Sequence, residues 1–125
     1  MKIAVIVVRT LLGLLFIFGS ITYFLNLYPQ PELTGNVKIF MDGLYASGYV
    51  MTLVKITELL CGIAFVTNRF VSLASIVIAP IIVNIFLLHL FVDATGLPAG
   101  IFLVLANSFL AYSNWEKYQP ILAVN

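Results

Sequence analysis

The segment that decides the fold is residues 50–66, VMTLVKITELLCGIAFV, which is apolar enough for a bilayer yet carries two ionisable side chains. Lys55 and Glu58 are three residues apart, so on a helix they lie on the same face. Ionisable side chains in hydrocarbon are costly, and by default they face a protein interior where they pair or carry out a function. The segment therefore predicts a membrane-spanning helix whose charged face is covered by the rest of the chain.

The composition indicates an integral membrane protein in contact with a lipid bilayer. Of the 125 residues, 62% are hydrophobic and 9% are charged, whereas about 25% of the residues of an ordinary soluble domain are charged. The formal net charge of +1 gives no reason to expect a nucleic acid as partner. The one cysteine, Cys61, cannot form an intramolecular disulfide.

Three more segments are long and apolar enough to span a membrane. We predict an all-α protein, a four-helix transmembrane bundle forming a single membrane domain over residues 1–125, with spans at about residues 3–26, 49–67, 71–91 and 99–113. The first segment resembles a signal peptide, but no small-x-small cleavage site follows it, so a retained helix is expected. Pro80 should kink the third span or free the carbonyl of Ile76.

A short amphipathic helix is predicted between the first two spans, at about residues 33–47. This stretch is too polar to span, but Val37, Phe40, Met41 and Leu44 have the spacing of one helical face. Such a helix lies on the membrane surface or forms a lid across the end of the bundle.

The orientation follows from the basic and aromatic residues. Four spans place both termini on one side, together with Lys2, Arg69 and Lys117, while Lys38 is on the other side. The positive-inside rule then places both termini in the cytoplasm. Tyrosine and tryptophan favour the two membrane interfaces: Trp115 and Tyr118 on the side of the termini, and Tyr23, Tyr28, Tyr45 and Tyr49 on the other.

Five polar side chains within the spans are candidates for a buried pocket. At about 1.5 Å of rise per residue, Arg9, Asn107 and Glu58 lie about 8, 10 and 13 Å from the side of the termini, and Lys55 and Asn84 about 18 and 20 Å. A lone Arg or Lys at mid-membrane costs about 2.5–3.5 kcal/mol. We therefore predict one inward cluster of Arg9, Glu58 and Asn107, with Lys55 and Asn84 above it.

The polar cluster has a functional and a structural interpretation. It forms a pocket for a lipid headgroup, a quinone ring or a proton path, or it is an ion-pair network that only fixes the helix register. Two bases against one acid leave one positive charge in excess. Lys55 is therefore either neutral through desolvation or in contact with an anionic group.

His89 and Asp93 are secondary candidates near the end of the third span. They are four residues apart, which is hydrogen-bonding reach on one helical face. They would relay protons, or His89 would cap its own helix end. No metal site is expected, because the chain has one histidine and no cysteine near it. Cys61 is expected to act as a small apolar residue.

Short motifs resemble those of the DoxX-like family of small four-helix membrane proteins. They are RTLLGLLF at 9–16, the prolines after the first span, FMDGL at 40–44 ahead of SGY at 47–49, and ELLCG at 58–62. The resemblance covers about residues 9–118 and matches Arg9 and Glu58 to the family's buried charged positions. It implies a role beside membrane redox complexes. Some related members use cysteine pairs for dithiol chemistry, which the lone Cys61 excludes here.

The function expected from these observations is an accessory subunit of a quinone-linked redox complex in a bacterial inner membrane. Its Arg9, Lys55 and Glu58 pocket would contact a quinone, a lipid or a catalytic partner. The chain encodes no redox centre, so it is not expected to be catalytic alone. Two alternatives stay open: a non-enzymatic scaffold, assembly factor or chaperone that binds a membrane protein partner or a second copy of itself, and a small lipid or metabolite carrier.

Overall fold

The computed structural model describes residues 2–27 and 32–124, so Tyr28 and most of the predicted turn after the first span lie outside it. Within the described residues every regular element is helical, which confirms the predicted all-α class. The elements are α1 (Lys2–Leu25), α2 (Gly35–Ala46), α3 (Val50–Thr67), α4 (Val71–Phe91), a 3₁₀ turn (Ala94–Gly96), α5 (Leu97–Ser113) and α6 (Trp115–Leu122).

Four segments of the described chain are long and apolar enough to cross a membrane: Lys2–Leu25, Val50–Thr67, Val71–Phe91 and Ala94–Ser113. The helix α1 packs against α3, α3 against α4, α4 against α5, and α5 against α1. Consecutive spans are antiparallel, since the start of α1 meets the end of α3 and the start of α4 meets the end of α5. This confirms the predicted four-helix transmembrane bundle.

The core of the bundle is apolar and lies on the inward stripes of the four spans. Leu12, Phe65, Ile78 and Leu110 are fully buried. Large apolar side chains cover the outer surface as well, among them Leu14, Leu60 and Leu105. Such an outer surface suits lipid, because acyl chains are as apolar as leucine.

The amphipathic helix α2 lies at the end of the bundle opposite the chain termini, where it contacts α3. The four residues of its predicted apolar stripe are the half-buried residues of this helix: Val37, Phe40, Met41 and Leu44. Lys38 and Asp42 form an ion pair of 2.7 Å on its exposed face. The stripe therefore predicted correctly which face of α2 meets the bundle.

Three local features differ from, or add to, the sequence prediction. The helix α4 continues through Pro80, whose side chain is exposed on the outer face. The helix α5 begins at Leu97, two residues earlier than predicted. The helix α6 was not predicted, and it buries Tyr118, whose hydroxyl donates to the carbonyl of Ser72 at 2.8 Å. Tyr118 thus holds α6 against the start of α4.

Candidate functional site

The buried ion pair of α3 is the centre of the candidate site. Lys55 Nζ lies 3.2 Å from Glu58 Oε2, on consecutive turns of one helical face. The Glu58 side chain is 7% exposed, whereas that of Lys55 is 21% exposed. Glu58 therefore anchors the pair in the bundle, and Lys55 presents the accessible part of it.

Lys55 lines a cavity of about 290 Å³ between α1, α2 and α3, here called the Lys55 cavity. The Lys55 ammonium lies 5.9 Å from the centre of the Tyr23 ring, within the range of a cation–π contact. The other lining residues are Gly19 and Thr22 of α1, Met41 and Tyr45 of α2, and Met51 of α3. The cavity thus places one cation among aromatic rings, thioethers and hydroxyl groups.

Tyr45 contributes a neutral phenol to this cavity. Burial raises the pKa of Tyr45 above its ordinary value, and the nearby Tyr23 raises it further. The hydroxyl of Tyr45 therefore keeps its proton at neutral pH and acts as a hydrogen-bond donor as well as an acceptor.

Arg9 is buried, but it does not join Glu58, and this corrects the prediction of one charged cluster. Its Nη1 atom donates to the main-chain carbonyls of Phe65 and, at 3.3 Å, Val66. These carbonyls belong to the last turn of α3, where no later turn supplies a donor. Glu58 lies seven residues earlier on α3, about 10 Å along the helix axis. Arg9 thus compensates the negative end of the α3 dipole.

Asn107 is also buried away from the ion pair. Its Nδ2 atom donates to the carbonyl of Ser75 at 3.1 Å and so joins α5 to α4. Its Oδ1 atom and the hydroxyl oxygens of Ser72 and Ser75 are buried without a partner among the described residues. The predicted contact of Asn107 with Arg9 and Glu58 is therefore replaced by an interhelical bond.

Asn84 is exposed on the outer face of α4, which corrects its predicted place beside Lys55. The buried stripe of α4 contains Ala74, Ile78 and Ile82. Asn84 is two residues beyond Ile82, so it points to the opposite side of the helix. The depth of Asn84 was estimated from the sequence, but depth does not fix the direction of a side chain.

His89 and Asp93 meet through the main chain and not through two side chains. His89 Nδ1 lies 3.0 Å from the carbonyl oxygen of Asp93. A carbonyl only accepts, so Nδ1 carries the proton and donates. The Asp93 carboxylate instead accepts from the amide and, at 2.6 Å, the hydroxyl of Thr95. The imidazole therefore joins the last turn of α4 to the residue that begins the 3₁₀ turn, and it caps no carbonyl of α4 itself.

Cys61 is buried between α3 and α4. Its thiol donates a weak hydrogen bond to the carbonyl of Ala74 over 3.7 Å. The residue therefore fills space in the core, as a buried lone cysteine is expected to do.

Most of the residues that line the Lys55 cavity were not identified from the sequence as site residues. Tyr45 was assigned only to an interfacial belt, and Met41 only to the apolar stripe of α2. The signal that could have found them is the predicted position of α2 as a lid across the end of the bundle. In that position α2 brings these residues over Lys55. Comparison with family models, characterised proteins and solved structures finds no match for this chain.

Proposed function

We propose that this protein is an accessory subunit of a membrane redox complex, and that its Lys55 cavity holds the polar head of a quinone. The observation that carries the proposal is the Lys55 ammonium, held by Glu58 at 3.2 Å and open to a cavity of about 290 Å³. A charged side chain at this depth in a membrane costs free energy, so it is expected to be paired or to bind a ligand.

The donors and rings in the cavity suit a quinone head. An ammonium has three donor hydrogens, and Glu58 accepts one of them. The remaining hydrogens are available to a carbonyl oxygen, and the hydroxyl of Tyr45 offers a further donor. The ring of Tyr23 provides an apolar face against which a planar ring can stack.

The size of the cavity suits a head without its tail. Sites for whole drug-sized ligands measure about 300–1,000 Å³, so about 290 Å³ takes a substituted ring and little more. An isoprenoid tail would lie in the bilayer against the apolar outer surface of the bundle, where Leu14 and Ile21 are exposed.

The accessory role is proposed because the chain has too few metal ligands for a redox centre of its own. An iron–sulfur cluster needs about four cysteine ligands, and this chain has one cysteine and one histidine. The electrons would therefore pass to or from a partner subunit. We propose, from the short motifs alone, that the chain is DoxX-like and lies in a bacterial inner membrane. The termini would be cytoplasmic, because Lys2, Arg69 and Lys117 share one end of the bundle.

Binding of a decyl-tailed benzoquinone to the purified full chain in detergent, measured by calorimetry, tests the ligand. Lys55→Met should weaken binding about tenfold or more, because a hydrogen bond to a charged group contributes about 1.5–3 kcal/mol. The matched control is Lys38→Met, since Lys38 also pairs with a carboxylate but on the exposed face of α2. Equal binding by the wild type and Lys55→Met would contradict the proposal.

Affinity purification in a mild detergent tests the accessory role. A single redox enzyme should be recovered with the chain in a fixed ratio. Recovery of the chain alone, from cells grown under respiratory conditions, would contradict the role as a subunit. The proposal of a quinone site would then stand or fall by the binding measurement.

A further inference from the structure

A second cavity, of about 710 Å³, lies at the opposite end of the bundle. It is open on one side and bordered by the start of α1, the turn between α3 and α4, the end of α5 and the start of α6, and is here called the basic cavity. Three of its lining residues are basic, Lys2, Arg9 and Lys117, against one carboxylate, Glu116. The cavity is thus positively charged and independent of the Lys55 cavity.

Arg9 forms the deepest charged part of this cavity and has donors to spare. Its side chain is nine-tenths buried, and only Nη1 is bonded, to the carbonyls at the end of α3. Within residues 2–27 and 32–124, the Nε and Nη2 atoms of Arg9 have no hydrogen-bond partner. A guanidinium with two free donors on one edge is suited to a bidentate contact with phosphate oxygens.

The remaining walls suit an amphiphile better than a free ion. Val5, Ile6 and Val71 give the cavity an apolar side. Tyr112 and Trp115 stand at its rim, and such rings favour the depth of lipid headgroups. A phosphate between Arg9 and the two lysines would therefore carry its acyl chains down the apolar side.

We propose that the basic cavity binds the phosphate of an anionic phospholipid, with Arg9 beneath the phosphate and Lys2 and Lys117 at the rim. Basic pockets between transmembrane helices are a known means of holding such headgroups. This proposal does not depend on the quinone proposal, because the two cavities share no residue.

The test compares phospholipid binding by native mass spectrometry of the delipidated full chain. The probes are dioleoylphosphatidylglycerol and dioleoylphosphatidylcholine. We expect the anionic lipid to bind at least about tenfold more tightly than the zwitterionic one. The double variant Lys2→Ala with Lys117→Ala should lower the affinity for the anionic lipid about 25-fold, at about fivefold per lysine. Equal binding of the two lipids would overturn the proposal.

A second double variant makes the result specific. Lys38→Ala with Arg69→Ala removes the same charge from residues that do not line the cavity, and it should bind the anionic lipid like the wild type. An equal loss in both double variants would reduce the effect to net charge and overturn the site. Arg9→Lys keeps the charge but loses the two parallel donors of the guanidinium. This variant should therefore bind the lipid more weakly while the chain stays folded.

Competition with inorganic phosphate distinguishes a site for a lipid phosphate from a site for a free phosphate ion. At millimolar concentration it should fail to displace the anionic lipid, because it gains nothing from the apolar wall. Displacement of the lipid by inorganic phosphate would assign the cavity to a soluble ion and overturn the lipid proposal.

Discussion

Gly13 of α1 and Gly62 of α3 lie backbone against backbone. A methyl group added to either residue would lie 2.8 Å from the carbonyl oxygen of the other. In lipid, helices associate through such close packing because acyl chains provide no hydrophobic force between them. This contact sets the distance between α1 and α3, and it lies between Arg9 at one end of the bundle and the Lys55 cavity at the other.

Gly62→Ala should weaken the contact between α1 and α3. The new methyl group would meet backbone atoms of Gly13 and Ile17, which cannot move aside as a flexible side chain can. We expect a loss of about 1–3 kcal/mol in the free energy of unfolding, as for overpacked cores. Denaturation of the detergent-solubilised chain by sodium dodecyl sulfate, followed by circular dichroism, measures it. Gly19→Ala is the control, because a methyl group there meets nothing within 4 Å; an equal loss in both variants would contradict the packing.

Arg9→Met should destabilise the bundle by leaving the carbonyls of Phe65 and Val66 without their donor. A buried acceptor that loses its partner costs about 1–3 kcal/mol. The same unfolding assay measures the loss. Arg69→Met serves as the control, since Arg69 is exposed in the turn after α3, and should change stability little. A neutral Arg9→Met would show that the last turn of α3 does not need this cap.

The turn after α4 should weaken in acid. Hydrogen bonds from the Thr95 hydroxyl and then from its amide lower the pKa of Asp93. A group whose folded pKa is lowered stabilises the folded state above its unfolded pKa, at about 3.9 for aspartate. That stability is lost as the pH falls through the lower folded pKa. Thr95→Ala should move the Asp93 carboxyl titration, measured by carbon-13 NMR, toward the ordinary value; an unchanged titration would contradict the assignment.

Gly96→Ala should clash with the imidazole of His89. A methyl group at residue 96 would lie 2.2 Å from Cε1 of that ring, so the ring would have to leave the carbonyl of Asp93. We expect a loss of stability of about 0.5–1.5 kcal/mol, mainly that of the hydrogen bond to Asp93, because the ring itself can move aside. His89→Ala in the same chain should recover most of the loss due to the methyl group, and a double-mutant cycle measures the coupling. Additive losses would place the ring elsewhere.

The helices and their buried faces were predictable where the apolar pattern is regular. The stripe through Val37 and Leu44 identified the inner face of α2, and four long apolar segments predicted the four spans. The helix α6 was missed because it has eight residues, too few for a clear periodicity.

The partners of the buried polar residues were less predictable. Depth along the membrane placed Arg9 and Glu58 within reach of each other, but the contact of Gly13 with Gly62 fixes a register in which Arg9 meets the end of α3. The prediction for Asn84 was wrong for a different reason, because the direction of its side chain around α4 depends on the buried stripe through Ile78 and Ile82. Both cavities join residues from several helices, so neither leaves a signal in any single segment.

Nitrogen-15 NMR of the lysine side chains during titration with the decyl-tailed benzoquinone tests the role of Lys55 most directly. The chain has four lysines, and Lys38 on the exposed face of α2 is an internal reference. The Nζ signal of Lys55 should shift as the quinone binds, while those of Lys2, Lys38 and Lys117 stay in place. A Lys55 signal that does not move at saturating quinone, or four signals that move together, would contradict a quinone head in this cavity.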